Sequence, residues 1–273
     1  MRIVCISDTH TMHEEVNLPN GDILIHAGDF SNRGGKSDVE DFFGWLMRIK
    51  PKYRHIIFIA GNHDKSFDSK YGEMPDWLSE GIAELEENNI WYLKDALIEL
   101  EGIKFYGMPW TPWFYGDTWA FNKRLGPDMQ EVIDMIEPCD ILITHGPPNE
   151  ARDFVSNWRQ GDVNVGCELL RYRVDQIKPL VHVFGHIHGA YGDARTVSAN
   201  LAYPLMRENV GNVNASARYD RKTYLNKVMA TDSISSSYQI NSLNLGLSGN
   251  YVDPLWGGAV NNAQINWVLG HLK

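Results

Sequence analysis

Short apolar segments of this chain end repeatedly in carboxylate, amide or imidazole side chains. Five segments end in this way, and the polar residues that follow them are Asp8 and His10, Asp29, Asn62 and His63, His145, and His186 and His188. Such groups, without thiolate, suit borderline divalent ions such as manganese, iron, zinc or nickel. Because the donors outnumber what one ion needs, the sequence predicts two divalent ions that share a ligand.

The apolar segments are predicted to be buried β-strands that alternate with helices. The predicted strands are Arg2–Ser7, Ile23–His26, His55–Ala60, Asp140–Thr144 and a run from Val181, and Ala96–Leu100 with Ile103–Tyr106 is a predicted hairpin. The predicted helices are Ser37–Ile49, Asp76–Asn88, Pro127–Ile136 and Val165–Ile177. This alternation is typical of an α/β protein with right-handed crossovers. In such proteins a binding crevice opens at the carboxyl ends of the strands.

Composition narrows the class of protein and of partner. A chain of 273 residues can bury one substantial core, and its net charge of −10 disfavours a grip on long nucleic acid. No apolar run is long enough to cross a membrane, and Asp8 comes too early for a signal peptide. Cys5, Cys139 and Cys167 lie far apart and are interpreted as reduced thiols. We therefore expect a cytoplasmic protein without membrane or long nucleic-acid partners.

The chain changes character after Ala190. Further strands are predicted at Arg195–Val197, Gly211–Ala215 and Lys227–Thr231. Residues 232–273 are almost uncharged but contain Trp256 and Trp267, unlike a solvated disordered tail. We expect residues 1–273 to form one domain, with this extension packed on it or lying at a homo-oligomer interface.

The polar strand ends also resemble a known motif series. Asp8-x-His10, Gly28-Asp29, Gly61-Asn62-His63-Asp64, His145 and Gly185-His186-x-His188 are similar, in order, to the motifs of the calcineurin-like metallophosphoesterases. The segments at 105–112, 119–122, 144–148, 166–170 and 213–216 look like the metallophosphoesterase-domain-containing subgroup, which is associated with phosphodiesters including cyclic nucleotides. The resemblance implies an α-β-β-α sandwich: two mixed β-sheets flanked by helices.

The resemblance also implies a role for each motif residue. One ion would be held by Asp8, His10, Asp29 and His188, and the second by Asp29, Asn62, His145 and His186. His63 would not be a ligand but a proton donor or charge stabiliser on the leaving-group side. The implied reaction is hydrolysis of a small phosphodiester by in-line attack of a metal-bridging hydroxide. The alternatives are a phosphomonoesterase or Ser/Thr protein phosphatase on the same site, and a scaffold without catalysis.

Several residues are candidates for the substrate side. Asn32 stands where the Ser/Thr phosphatases have an aspartate that orients the catalytic histidine, which disfavours that activity. Arg33 is either a phosphate contact or an ordinary surface arginine. Trp113 lies in an aromatic loop, residues 110–121, whose rings either stack on a nucleobase or, the favoured interpretation, pack beneath the loop. Further candidates are Asn122, Arg124, Arg152 and Arg159, whereas His26 and His182 are expected in core or supporting positions.

Overall fold

The computed structural model describes residues 1–114, 116–157 and 161–188, together with the backbone of three C-terminal strands. The strands predicted at Arg195–Val197, Gly211–Ala215 and Lys227–Thr231 lie outside the described residues. The organisation of residues 1–273 as one domain stays a prediction. Among the described residues, no helix has the length and apolar character needed to cross a bilayer.

The described elements alternate between strands and helices over most of the chain. The strands are β1 (Arg2–Ile6), β2 (Ile23–Ala27), β3 (His55–Ile59), β4 (Ile90–Tyr92), β5 (Ala96–Leu100), β6 (Ile103–Met108), β7 (Thr111–Pro112), β8 (Asn122–Lys123), β9 (Ile141–Thr144), β10 (Phe154–Asn157), β11 (Gly161–Asn164), β12 (Val181–Val183), β13 (Ile234–Ile240), β14 (Leu243–Gly249) and β15 (Ile265–Val268). The helices are α1 (Lys36–Ile49), α2 (Asp76–Glu87), α3 (Pro127–Asp134) and α4 (Glu168–Ile177). Short 3-10 helices lie at His13–Glu15, Lys50–Lys52, Lys65–Phe67 and Ser69–Tyr71.

Two mixed sheets form the centre of the fold. The first has the strand order β13-β14-β15-β1-β2-β3-β4. Strands β1 to β4 run parallel, and β15 is antiparallel to β1. The second sheet has the order β12-β9-β6-β5, in which β12, β9 and β6 are parallel and β5 is antiparallel. The predicted α/β class with two mixed sheets is confirmed.

The layers follow from the alternation of side chains along each strand. On the first sheet one face carries Ile3, Cys5 and Ile25, which pack with Phe105 and Ile143 of the second sheet. The opposite face of the first sheet packs on α1 and α2, and the outer face of the second sheet packs on α3 and α4. Parallel strands need this cover on both faces. The result is the predicted α-β-β-α order of layers.

Two predicted helices are longer than the observed ones by two or more residues. The predicted helix to Ile136 ends at Asp134, because the chain must leave the helical conformation before Pro138. The predicted helix from Val165 begins at Glu168, because residues 161–164 pair as a strand with residues 154–157. Cys167 then caps the helix, and its Sγ accepts a hydrogen bond from the N–H of Leu170 at 3.4 Å.

A buried histidine supports the strand end that precedes His145. The Thr144 hydroxyl donates to the carbonyl of Gly146 at 2.7 Å, so its oxygen accepts from Nε2 of His182 at 2.8 Å. His182 is therefore neutral with its proton on Nε2, and its Nδ1 has no hydrogen-bond partner among the described residues. Burial lowers the pKa of His182 to about 3.

We predict that His182 makes the protein sensitive to acid. Because its pKa is near 3 when folded and about 6.5 when unfolded, the unfolded chain binds an extra proton below about pH 6.5. The contribution of His182 to the free energy of unfolding is complete above about pH 6.5. It is lost on acidification at about 1.4 kcal/mol per pH unit. In urea unfolding of metal-free protein between about pH 6.5 and 4.5, His182→Gln should lose stability less steeply, since the amide can still donate to Thr144. Parallel curves would contradict this.

Candidate metal centre

The candidate ligands lie where parallel strands of both sheets end. Asp8 and Asp29 follow β1 and β2 of the first sheet, and Asn62 follows β3. His145 comes directly after β9 of the second sheet, and His186 and His188 follow β12. The sandwich thus brings both sets of strand ends to one edge.

The backbone at this edge is strained. Asp8, His10, Asp29 and His186 are all in the left-handed region, with φ of 54°, 44°, 56° and 73°. Residues other than glycine rarely adopt this conformation, and it persists where surrounding contacts impose it. The contacts are present: the N–H of Asp8 donates to the Gly28 carbonyl at 2.9 Å, and the N–H of His10 donates to the Asp29 carbonyl at 3.0 Å.

Three groups of donors converge at the strand ends. They are Asp8 with His10 and His188, Asp29 with His145 and His186, and His10 with Asp29 and His63; within each, one ligand atom per residue lies within 4.8 Å of the others. Asn62 joins the second group, because its Oδ1 lies 3.0 Å from Nε2 of His145. The structure brings together all seven predicted ligands, and Asp29 belongs to two groups.

The donor geometry fits metal ions. Nδ1 of His145 donates to the Ala27 carbonyl at 2.9 Å, which leaves Nε2 directed at Asp29 Oδ2, 3.2 Å away. A ligating histidine commonly gives its other ring N–H to a backbone carbonyl in this manner. Nε2 of His10 and Nε2 of His188 also face each other at 3.2 Å. The set contains oxygen and nitrogen but no sulfur, as borderline divalent ions prefer.

Two glycines allow the carboxylates to sit this close to the backbone. A Cβ atom at Gly185 would lie 2.1 Å from Oδ2 of Asp8. A Cβ atom at Gly61 would lie 2.3 Å from Oδ1 of Asp29. Any side chain at either position would displace a carboxylate, so the Gly residues of both motifs are required by close approach.

The centre without metal is a set of coupled opposite charges. Burial opposes ionisation of Asp29, but the charge and hydrogen bond of His145, together with the charge of His63, hold the pKa of Asp29 well below its usual range. Burial likewise opposes protonation of His145, yet Asp29 raises the pKa of His145 to about 9. Burial lowers the pKa of His186 to about 3, so this imidazole is neutral. A bound cation would take over the role of the His145 proton opposite Asp29.

Asp64 holds the loops that carry Asp29 and Asn62. This carboxylate is fully buried and accepts from the N–H groups of Asp29 at 2.9 Å and Gly61 at 2.8 Å. It also accepts from the N–H and hydroxyl of Ser31 at 2.9 and 2.7 Å. In the sequence, the only signal for this role of Asp64 is its place as the last residue of the Gly61-Asn62-His63-Asp64 motif.

His63 is oriented by the main chain. Its Nδ1 donates to the carbonyl of Asn32 at 2.7 Å, and its backbone N–H donates to Oδ1 of Asp29 at 2.8 Å. The side chain of Asn32 instead donates to the Thr11 hydroxyl at 3.1 Å. The support for His63 is therefore a neutral carbonyl, and the Asn32 side chain does not supply it.

The aromatic loop brings two unpredicted rings to the centre. Trp119 lies 4.5 Å from His63 and Phe114 lies 4.9 Å from His186, measured between ring centroids. Trp113 is exposed. The Arg124 guanidinium lies 5.1 Å from the centre of the Trp113 ring, and Nε1 of Trp113 donates to Oδ1 of Asp117 at 2.8 Å. The spacing of aromatic residues in a loop does not indicate which rings face a site.

The other substrate-side candidates are spread around the loop. Arg33 is exposed, and the Nδ2 of Asn122 donates to the Ala120 carbonyl at 3.3 Å. Arg152 is half-buried, and Arg159 lies outside the described residues. The proposed roles of these residues, and of Asn32 and Trp113, stay predictions.

The fold and this centre agree with a comparison of the chain with known families. Residues 1–190 match the family described as calcineurin-like phosphoesterase, and the chain belongs to this family. It is 41% identical over 222 residues to metallophosphoesterase domain-containing protein 1 of Homo sapiens, covering 74% of this chain and 65% of the human protein. The Mus musculus protein of the same name gives the same values. A Caenorhabditis elegans protein of the UPF0046 group is 35% identical over 203 residues, covering 70% of each chain.

Because Asp29 belongs to two ligand groups, we predict that Asp29→Asn impairs metal binding throughout the centre. Metal content of purified protein, with titration of the metal-free protein, should show affinity lowered by at least about 10- to 100-fold for every bound ion. Asp153→Asn is the matched control, since Asp153 is a buried aspartate that accepts from the N–H groups of Glu150 and Gly166. Loss of one ion with full retention of another would contradict the shared role.

Proposed function

We propose that this protein is a dinuclear metal-dependent phosphodiesterase that acts on small or nucleotide-like substrates, including cyclic nucleotides. The observation that carries the proposal is the place of Asp29, whose Oδ2 lies 3.9 Å from Nε2 of His10 and 3.2 Å from Nε2 of His145, and whose Oδ1 accepts from the backbone N–H of His63. Membership of the calcineurin-like phosphoesterase family supports it. The chain spans 65% of the length of the human relative, so the proposed activity is argued from the residues of this chain.

Two ligand sets would hold the ions. Asp8, His10 and His188 would form the first, and Asn62, His145 and His186 would form the second. Asp29 would complete both, since its Oδ2 lies 3.9 Å from Nε2 of His10 and 3.2 Å from Nε2 of His145. When bound, the ions would polarise the phosphoryl group, activate a water molecule and offset negative charge. Such help is needed because hydrolysis of phosphate esters is among the slowest uncatalysed reactions. Manganese, iron, zinc and nickel all suit these donors.

His63 can deliver a proton in one defined direction. Its Nδ1–H is bound to the Asn32 carbonyl, so Nε2 is the atom left for exchange with a leaving oxygen. The protonated ring would donate from Nε2 and remain as the neutral tautomer, with Nδ1–H still held. A positioned acid of this kind contributes about 10²- to 10⁴-fold.

Three observations bear on the alternatives. His63 rests on a neutral carbonyl, whereas the Ser/Thr phosphatase pattern places a carboxylate there, which supports a diesterase over a protein phosphatase. The net charge of −10 opposes a polymeric nucleic acid as substrate. A silent scaffold is disfavoured because every ligand position of both sets carries a donor. The cytoplasmic location and the homo-oligomer stay predictions.

We predict that His63→Ala lowers kcat for a phosphodiester by about 10²- to 10⁴-fold and leaves the metal content unchanged. The reason is that the seven other candidate residues would hold the ions, whereas His63 would offer the proton from Nε2, since its Nδ1 is already engaged by the Asn32 carbonyl. His55→Ala is the control, because His55 is a partly buried histidine at the start of β3 whose ring contacts Trp91 and Glu101. Full activity of His63→Ala would remove it from the mechanism.

Parallel assays of a diester and a monoester test the substrate class. With the metal-loaded protein, kcat/KM for bis-p-nitrophenyl phosphate should exceed that for p-nitrophenyl phosphate. Manganese is the first metal to use, with zinc, iron and nickel compared. A strong preference for the monoester would contradict the diesterase proposal. Hydrolysis of neither ester by protein with bound metal would instead favour the scaffold.

A further inference from the structure

Phe114 and Trp119 complete a rim of rings around the metal centre. On one side His188, His10 and His63 follow one another at ring centroid distances of 5.1 and 4.6 Å. On the other side His145 and His186 are 5.0 Å apart. Trp119 contacts His63, Phe114 contacts His186, and the two rings stack at 6.1 Å with planes 20° apart. This stacked pair, which we call the aromatic wall, spans the gap between the two sets of histidines.

The wall is held against the centre by the main chain around it. The N–H of Ala120 donates to the carbonyl of Asn62 at 3.0 Å, which ties the loop to a candidate ligand. The N–H of Phe121 donates to Asp68 at 2.7 Å, and Nζ of Lys70 donates to the Trp119 carbonyl at 3.2 Å. Ala120 and Phe121 are themselves fully buried. The position of Trp119 is thus fixed by its neighbours in the chain.

The rings of Phe114 and Trp119 keep surface that core packing does not cover. Phe114 and Trp119 are both half-buried, whereas Phe121 of the same loop is fully buried. Nζ of Lys65 lies 5.3 Å from the centre of the Trp119 ring and adds a positive charge beside the wall. The aromatic wall therefore offers apolar ring surface beside the candidate metal ligands, which would bind a phosphate through the ions. The Lys65 ammonium beside the wall suits the negative charge of that phosphate.

From this arrangement we propose that the aromatic wall binds a planar aromatic ester group of the substrate, on the side where His63 protonates the leaving oxygen. The inference rests on the proposed function, since it assigns the group attached to the phosphate. Once the phosphoryl group occupies the ligand cluster, an ester group directed past His63 meets Trp119 first and Phe114 next. Phe114 and Trp119 are then specificity-determining residues, selecting planar over small aliphatic groups.

Direct binding isolates the wall from the chemical step. Calorimetry on metal-loaded protein would compare phenylphosphonate with methylphosphonate, which share the phosphonate and differ in the ring. Stacking on aromatic side chains should make phenylphosphonate bind about 5- to 100-fold more tightly. Trp119→Leu and Phe114→Leu keep apolar bulk but remove a ring, so each should bring this ratio towards one. The affinity for methylphosphonate should change little, which also reports on folding and metal content.

A second pair of ligands identifies the source of the planar group. AMP compared with ribose 5-phosphate asks whether a nucleobase gains from the wall as a phenyl ring does. A ratio well above one in both pairs, lost in the variants, supports a base; a ratio in the phenyl pair alone supports an aryl ester.

Two results would overturn the inference. One is equal binding of phenylphosphonate and methylphosphonate by the unaltered protein. The other is a preference that survives in both leucine variants; its loss in Trp113→Ala would then assign it to Trp113. If one leucine variant loses affinity for methylphosphonate, its folding or metal content is impaired, and the affinity ratio of the other leucine variant is used instead. If the protein hydrolyses diesters but binds phenylphosphonate and methylphosphonate equally, only the role of the aromatic wall is refuted. If it binds phenylphosphonate more tightly but hydrolyses no diester, only the proposed function is refuted.

Discussion

The structure depends on one buried carboxylate, that of Asp29. Its two oxygens are directed to different groups: Oδ1 accepts from the backbone of His63, and Oδ2 faces His145 at 3.2 Å. A lone buried carboxylate would be costly, so the fold surrounds it with donors and histidines. Asp64 in turn binds the N–H of Asp29 and of Gly61, which joins the loop after β2 to the loop after β3. The same hydrogen bonds therefore fix the positions of the candidate ligands and the geometry of the two loops.

The sandwich supplies the stability that this edge lacks. Four candidate ligands have left-handed backbone conformations, each of which costs of order 1–3 kcal/mol. The cost is met by three buried apolar clusters, between the sheets and beneath each pair of helices. The strands that lead to the candidate ligands, β1, β2, β3, β9 and β12, are nearly fully buried, so their ends cannot relax without disturbing the core. A rigid frame of this kind holds donors at fixed separations, which metal binding and phosphoryl chemistry both need.

The aromatic loop adds what the metal ligands cannot provide. The ligands are set by the family motifs and would treat any phosphoryl group alike. Trp119 and Phe114 lie on the rim and do not belong to the donor groups, yet they contact His63 and His186. The proposed recognition of the group beyond the phosphate would thereby lie on a loop whose backbone is tied to Asn62. Chemistry and specificity occupy adjoining but separate elements.

The sequence alone determined the alternation of elements, the approximate strand ends and the set of candidate ligands, because strand periodicity and donor type are local properties. It could not determine the start of α4, where pairing of residues 154–157 with 161–164 overrides a helical pattern. Nor could it show that the carbonyl of Asn32, and not its side chain, holds His63, or which rings of the loop reach the centre. Those facts depend on contacts between segments far apart in the chain, such as Asp8 with His186 or Ala27 with His145. Only the packing of the two sheets sets such distances.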